Sequence, residues 1–238
     1  MKLLMINNEP RESRAIVAWF EACWPEMEVM TVEDSRTGIA VVGNQVSDIV
    51  VMVDGPLDMD GLGVCREIRR RSGVPTIVLA DGGREAEKML WLEAGADAYI
   101  TRPYSYIGLL ARVAAALRWS QAALPVTSGP PCVVGPLYVD FATRELLRRG
   151  QRVTLTPIEY RLLYHLVKNR GRVLPHRMLL AKVWGREYAG DTELLKVYIQ
   201  HLRRKVEDDP KRPRMVLSER GIGYMFVEPA PALAPASD

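Results

Sequence analysis

The sequence predicts an α/β domain built on a doubly wound (βα)5 parallel sheet, followed by a smaller domain of three helices and a β-hairpin. Three observations carry this. Short apolar runs alternate with helical patterns through the first half, a Pro/Gly/Ser-rich break follows, and three helical stripes then lead into a Gly-punctuated hairpin. At 238 residues the chain exceeds one typical domain of about 100 to 150 residues, so two cores are expected.

In the first half, residues 3–6, 28–32, 49–53, 76–79 and 98–100 read as strands, and residues 11–21, 35–42, 63–71, 84–94 and 107–118 as helices. The third strand is apolar throughout, as parallel strands covered on both faces tend to be. Right-handed crossovers give a flavodoxin-like sheet whose ligand site lies at the carboxyl ends of the strands. Residues 121–131 have the composition of a linker, separating domains 1–120 and 132–229, and the Pro/Ala-rich segment 230–238 reads as a disordered tail.

In the second half, Thr156-Pro157-Ile158-Glu159 has the form of a capping box with Pro at the first helical position, predicting a helix to about Asn169 closed by Gly171. A second helix spans about His176 to Trp184, with Leu179, Leu180, Val183 and Trp184 inward. A third runs from Thr192 to Val206, its core stripe formed by Leu195, Ile199, Leu202 and Val206. The opposite face then presents Glu193, Lys196, Val197, Gln200, His201 and Arg204, with Arg203 at its flank. Cations neutralise phosphates, Gln bonds an adenine edge and Val touches a thymine methyl, so this set suits a major groove. In the hairpin Met215 to Val227, glycines flank a tight turn that holds Arg220 where it can reach a minor groove.

Charge divides the same way. Residues 132–229 carry 19 Lys+Arg against 11 Asp+Glu, a net of +8, whereas residues 1–122 carry 13 against 17, a net of −4. Basic surface of this kind binds nucleic acid in a salt-dependent way. Cys23, Cys65 and Cys132 have no paired metal spacing and leave an odd thiol. With no signal-peptide core and no long apolar run, they suggest a cytoplasmic protein without membrane association. H-E-x-x-H, Walker and G-x-S-x-G motifs are missing, and His165, His176 and His201 all fall in the second half. The expectation is no enzyme, no cofactor and no metal.

The runs LTPIEYRLLYHLVKNRGRVL, LLAKVWG, VYIQHLRRKVEDDP and ERGIGY resemble the winged helix-turn-helix output domain of OmpR/PhoB-type response regulators, over residues 135–227. The resemblance implies a recognition helix in the major groove, with Lys196, Val197, Gln200, His201, Arg203 and Arg204 facing DNA. Ser218, Arg220 and Tyr224 belong to the wing, and the loop Gly185 to Asp191 would approach RNA polymerase. Gln200 and His201 stand where many members have Arg-Arg, Glu193 replaces a frequent basic residue, and Pro175 replaces a Ser cap. An unusual operator is therefore expected.

The pieces MINNEP, MDGLGVCREIR, VPTIVLA and LEAGADAYITRPYS resemble a receiver domain over residues 1 to about 120, but its phosphorylation chemistry is mostly missing. The phosphoacceptor position falls on Val53, the magnesium-binding acids on Asn7 and Asn8, the switch hydroxyl on Ala80 and the Lys on Arg102. Pro103 and the aromatic Tyr99 are kept. A valine forms no acyl phosphate, and two amides hold magnesium poorly. Asp54 is an alternative acceptor only if a bulge turns its carboxylate into the pocket. Arg102 is expected to act as a tethered cation paired with Glu9 or Asp54. By resemblance, the dimer face made by the fourth helix, fifth strand and fifth helix carries Lys88, Glu93, Asp97, Arg112 and Arg118, with Gly108 in place of a usual acid. The sequence thus leads to a homodimer that binds tandem DNA half-sites without phosphorylation. The alternative is a regulator gated by a small molecule or a protein at the altered pocket lined by Val53 and Ala80.

Overall fold

The computed structural model describes residues 1–44, 46–55, 59–82, 84–121 and 131–228. Nearly all of the expected linker and the expected C-terminal tail lie outside the described residues. The chain divides into two compact units, Met1–Ala122 and Ala123–Asp238.

The first unit alternates β1 (Lys2–Ile6), α1 (Pro10–Cys23), β2 (Glu28–Val32), α2 (Ser35–Gly43), β3 (Ile49–Val53), α3 (Gly61–Arg71), β4 (Thr76–Ala80), α4 (Glu85–Ala94), β5 (Ala98–Thr101) and α5 (Tyr106–Gln121). The strands pair in parallel in the order β2-β1-β3-β4-β5. Every residue of β3 is buried, which is why its sequence shows no alternation. Val50 and Met52 pack with Val64, Cys65 and Ile68 of α3 and Trp91 of α4, so Val51 and Val53 face the other side of the sheet. Because the strands are parallel, the residues that follow them gather at one edge: Asn7, Asp54, Asp81 and Arg102. Asp60 caps α3, accepting from the Leu62 and Gly63 amides at 3.3 and 3.1 Å.

The second unit opens with a four-stranded antiparallel sheet absent from the sequence reading, formed by β6 (Cys132–Val134), β7 (Leu137–Asp140), β8 (Glu145–Arg148) and β9 (Gln151–Arg152). Helix α6 (Pro157–Lys168) starts at the capping box: the Glu159 amide donates to Thr156 Oγ1 at 3.3 Å, and the Thr156 amide to Glu159 Oε2 at 2.7 Å. Helices α7 (His176–Val183) and α8 (Thr192–Val206) follow, with a 3-10 turn Arg186–Tyr188 between them. Pro175 precedes α7 and supplies no side-chain cap. A small antiparallel sheet orders β10 (Val173–Pro175), β12 (Gly223–Phe226) and β11 (Val216–Glu219), with β12 central. Leu179, Leu180, Val183 and Trp184 are fully buried, as are Leu195, Leu202 and Val206, with Ile199 1% exposed.

His165 on α6 sits in this packing. Burial pushes its imidazole down to about 4, and the nearby cations Lys182 and Arg161 act in the same direction. An unfolded chain binds that proton near the ordinary value of 6.5, whereas the fold resists it until about 4. Stability of this unit should therefore fall as pH drops through that window. Melting temperatures measured from pH 7 to pH 4 should decline, and more shallowly in His165→Gln. Equal slopes for the two proteins would remove His165 as the cause.

Candidate functional site

At the strand edge of the first unit, the polar side chains hold one another. Asn7, 3% exposed, accepts the Glu9 amide at 2.9 Å through Oδ1 and turns its Nδ2 toward Glu12 Oε2 at 3.4 Å. Asn8 is half-buried beside it. Val53 is 4% exposed and Ala80 1%, so the acceptor position is a methyl-lined dead end. Asp54 lies one residue beyond β3, on the face of Met52, and bonds Trp91 of α4. Burial raises its carboxyl above the ordinary range, only partly countered by that bond. The bulge that would carry Asp54 to the side of Val53 does not occur, since the Asp54 amide continues the ladder by donating to Leu79 at 2.7 Å.

Arg102 makes the central contacts of this edge, with partners other than those expected. Its Nε and Nη2 reach Glu12 Oε1 at 3.0 and 2.7 Å, Nη2 also reaches Oε2 at 2.6 Å, and Nη1 donates to Asp81 Oδ1 at 2.7 Å. The expected partners Glu9 and Asp54 are thus replaced by Glu12 and Asp81. A fork matched to a carboxylate explains the preference for Glu12, which the first turn of α1 aims at the cleft. Burial opposes the charge on Arg102, but the bonds to Glu12 and Asp81 outweigh it and hold the guanidinium charged. The Tyr104 hydroxyl donates to Glu12 Oε1 at 2.7 Å, and burial together with that bond pushes its pKa above the ordinary tyrosine value. Nothing in the sequence beyond an acid in a first helical turn singled out Glu12. An open cleft of about 460 Å³ adjoins this network.

On the expected dimer face, Glu93 and Arg118 are exposed, and Lys88 and Arg112 are half-buried. Asp97 does not belong with them. It is 2% exposed, accepting from the Thr76 amide at 2.7 Å and from Arg69. A carboxylate already bonded beneath the sheet edge offers no surface to a second subunit.

Helix α8 and the hairpin that follows correct three further assignments, Val197, Arg203 and Tyr224. Lys196, Gln200 and Arg204 are exposed, with Glu193 and His201 half-buried beside them, and these residues form the outward stripe. Glu193 and Lys196 pair with each other. Val197, however, is 4% exposed: the helix is packed by α6 and α7, and its apolar stripe is wider than the four residues read from sequence. Arg203, 7% exposed, turns inward and donates to the Val216 carbonyl through Nε at 3.0 Å and Nη2 at 2.6 Å, and to Ser218 Oγ at 2.9 Å. Burial lowers its proton affinity, although Tyr224 and Glu207 favour the charge. Tyr224 is 6% exposed, its ring in contact with His176 and with the Arg203 guanidinium. Lys205 also points inward, to Glu159 Oε2 at 2.6 Å and the Thr154 carbonyl at 3.0 Å. In the run Arg203-Arg204-Lys205, Arg204 is the residue left exposed.

The hairpin turn displays Ser218, Glu219, Arg220 and Ile222, with Gly221 at φ +76°. An outward helix stripe beside an exposed Arg-bearing turn is the geometry of a winged-helix DNA reader, and the first unit has the topology of a receiver. Together they define a response regulator with a DNA-binding output domain. Residues 3–114 match the family described as response regulator receiver domain, and residues 150–226 match transcriptional regulatory protein, C terminal. The chain belongs to the OmpR/PhoB family of response regulators.

Among its relatives is the KDP operon transcriptional regulatory protein KdpE of Escherichia coli K12, 39% identical over 203 residues, which cover 84% of this chain and 88% of that protein. KdpE of Mycobacterium tuberculosis is 35% identical over 224 residues, covering 94% and 98%. The solved structure of a RitR mutant superposes with a TM-score of 0.74 at 22% identity, covering 94% of this chain and 98% of that one, a likeness of fold. The chain is a DNA-binding transcription regulator with a receiver domain, not an enzyme. Among the described residues, no helix is long and apolar enough to cross a membrane.

Proposed function

We propose that this regulator binds DNA without phosphorylation of its receiver, as a cytoplasmic homodimer formed through the α4-β5-α5 face and seated on tandem half-sites about one helical turn apart. The loop 185–191 is the proposed contact to RNA polymerase. The observation that carries the reading is the buried valine at the acceptor position, beside two asparagines where magnesium needs charge. Arg102 supports it by linking the segments after β1, β4 and β5 through Glu12, Asp81 and Tyr104. A receiver switched by phosphate needs those segments joined by an added group, whereas here they are joined by the chain itself.

The experiment is selection of genomic DNA fragments by the untreated full-length protein, repeated with acetyl phosphate and magnesium. Paired half-sites should be enriched equally in both arms, with no gain in protein mass. A phosphoryl mass increment on Asp54 accompanied by tighter binding would overturn the reading.

The residues proposed to meet DNA are Lys196, Gln200, His201 and Arg204 on α8 and Ser218 and Arg220 on the wing. Gln200→Ala and His201→Ala should change the enriched sequence. Lys196→Ala or Arg204→Ala should instead weaken binding to all sequences and lower the salt slope by about one unit. Identical sequence profiles across all four variants would refute that division. A second reading, in which a small molecule gates DNA binding, rests on the open cleft beside Arg102. It requires a ligand that both raises the melting temperature and changes DNA affinity.

A further inference from the structure

The base of the wing is gripped by two charged side chains from the end of the recognition helix. Glu207, the residue closing α8, is 3% exposed. Its carboxylate accepts three successive amides: Arg214 at 3.0 Å and Met215 at 2.9 Å, one on each oxygen, then Val216 at 2.7 Å. Arg203, one turn earlier, donates to the carbonyl of that same Val216 and to Ser218 Oγ. Both polar backbone groups of Val216 are therefore held from α8.

Strand geometry explains why they are available. The Met215 carbonyl accepts from the Val227 amide at 2.8 Å, toward β12. Along an antiparallel strand, the bonding direction alternates, so Val216 points its N–H and C=O away from β12. Strand β11 is an edge strand, with β12 on one side in the order β10-β12-β11. Arg203 and Glu207 supply on the other side what a further strand would supply, one donor fork and one acceptor. Because both sit on α8, they tie the wing to the helix at a fixed angle.

We propose that Arg203 and Glu207 are positioning residues for DNA recognition: a clamp on Val216 that sets the wing's approach relative to the recognition helix, acting on DNA only through the wing residue Arg220. This rests on DNA binding by the family fold and not on phosphorylation independence. A cation in a recognition helix ordinarily counts as a phosphate contact. Arg203 is instead too buried, and too fully engaged with Val216 and Ser218, to serve as one.

A double-mutant cycle in the full-length protein separates the two roles, using a duplex recovered by genomic selection and a random-sequence duplex as control. Arg203→Met and Arg220→Ala should each weaken binding about tenfold, and the double variant should lose about tenfold rather than a hundredfold. Arg203→Met should lower the salt slope no more than Arg220→Ala does, and the double variant no further, since the one cation withdrawn from DNA in all three is that of Arg220. Hydrogen exchange should quicken at residues 216–219 with α6 unchanged. Multiplicative losses with a salt slope lower in the double variant than in either single variant would make Arg203 a direct phosphate contact, and wild-type affinity in a folded Arg203→Met would show that the clamp does not act on binding. Either result overturns the proposal. If Arg203→Met fails to fold, Arg203→Lys, which keeps the charge and loses the fork, carries the same cycle. Failure of the selected duplex to bind wild-type protein, with the random duplex still bound, would indict the operator and not the clamp, and the cycle then proceeds on the random duplex with the same two outcomes.

Discussion

Replacing Gly223 by alanine is expected to destabilise the winged-helix unit by about 3 kcal/mol or more, among the larger effects of a single substitution. A Cβ at that position would lie 1.9 Å from the Leu174 carbonyl oxygen, 2.7 Å from its carbon and 2.9 Å from Pro175 Cα. All three are main-chain atoms of β10, which pairs with β12 at that point, so no rotamer relieves the clash. Relief requires the strands to separate, and β12 is the central strand of its sheet. Gly221 provides the comparison. Its φ of +76° favours glycine, but a Cβ there meets nothing within 4 Å, so Gly221→Ala should cost only about 1 kcal/mol. Calorimetry of the full-length protein and both variants reads the difference directly. Equal melting temperatures for the two variants would show that β10 and β12 do not approach as closely as described.

The second large effect is expected at Asp97. Asp97→Ala removes the acceptor for the fully buried Thr76 amide and the carboxylate paired with Arg69, whose side chain is 18% exposed. Breaking a buried pair from one side typically costs about 3 to 5 kcal/mol, because the remaining charge stays desolvated. The loss should be a property of the monomer, seen as a lower unfolding midpoint at every protein concentration. Glu93→Ala, at an exposed position nearby, should leave the midpoint within about 0.5 kcal/mol. If Asp97→Ala instead leaves monomer stability intact and weakens only self-association, its burial beneath the sheet edge is not what matters.

Asp97 shows where sequence reading reaches its limit. An acid just before a strand has the same appearance whether it faces solvent or closes a buried network, since the difference lies in Arg69 and Thr76, 28 and 21 residues away. The same holds on α8. Period-3.6 patterning located the helix and its stripe of Leu195, Ile199, Leu202 and Val206, because apolar spacing is a local signal. It left Val197, Arg203 and Tyr224 on the outside, because burial from a second side comes from α6, α7 and the hairpin. The receiver strands, the capping box at Thr156 and the glycine-flanked turn were legible for the same local reason. The sheet β6 to β9 was not: strands of two to four residues are too short to show alternation. Glu12 and Glu207 were missed because each earns its role from partners that only the fold assembles.

The internal pairing of several cations changes what the charge of the second unit means. Arg148 and Arg149 are both committed to Asp208, Lys205 to Glu159, and Arg203 to the wing backbone. A cation already held by a partner within the chain is less free to replace a condensed ion on a duplex. Counterion release, and with it the entropic share of DNA affinity, should therefore follow the outward groups such as Arg204 and Arg220 more closely than the formal excess of basic residues. A protein arranged this way keeps more of its hold on DNA as ionic strength rises than its composition alone suggests, and correspondingly less of its grip is sequence-blind.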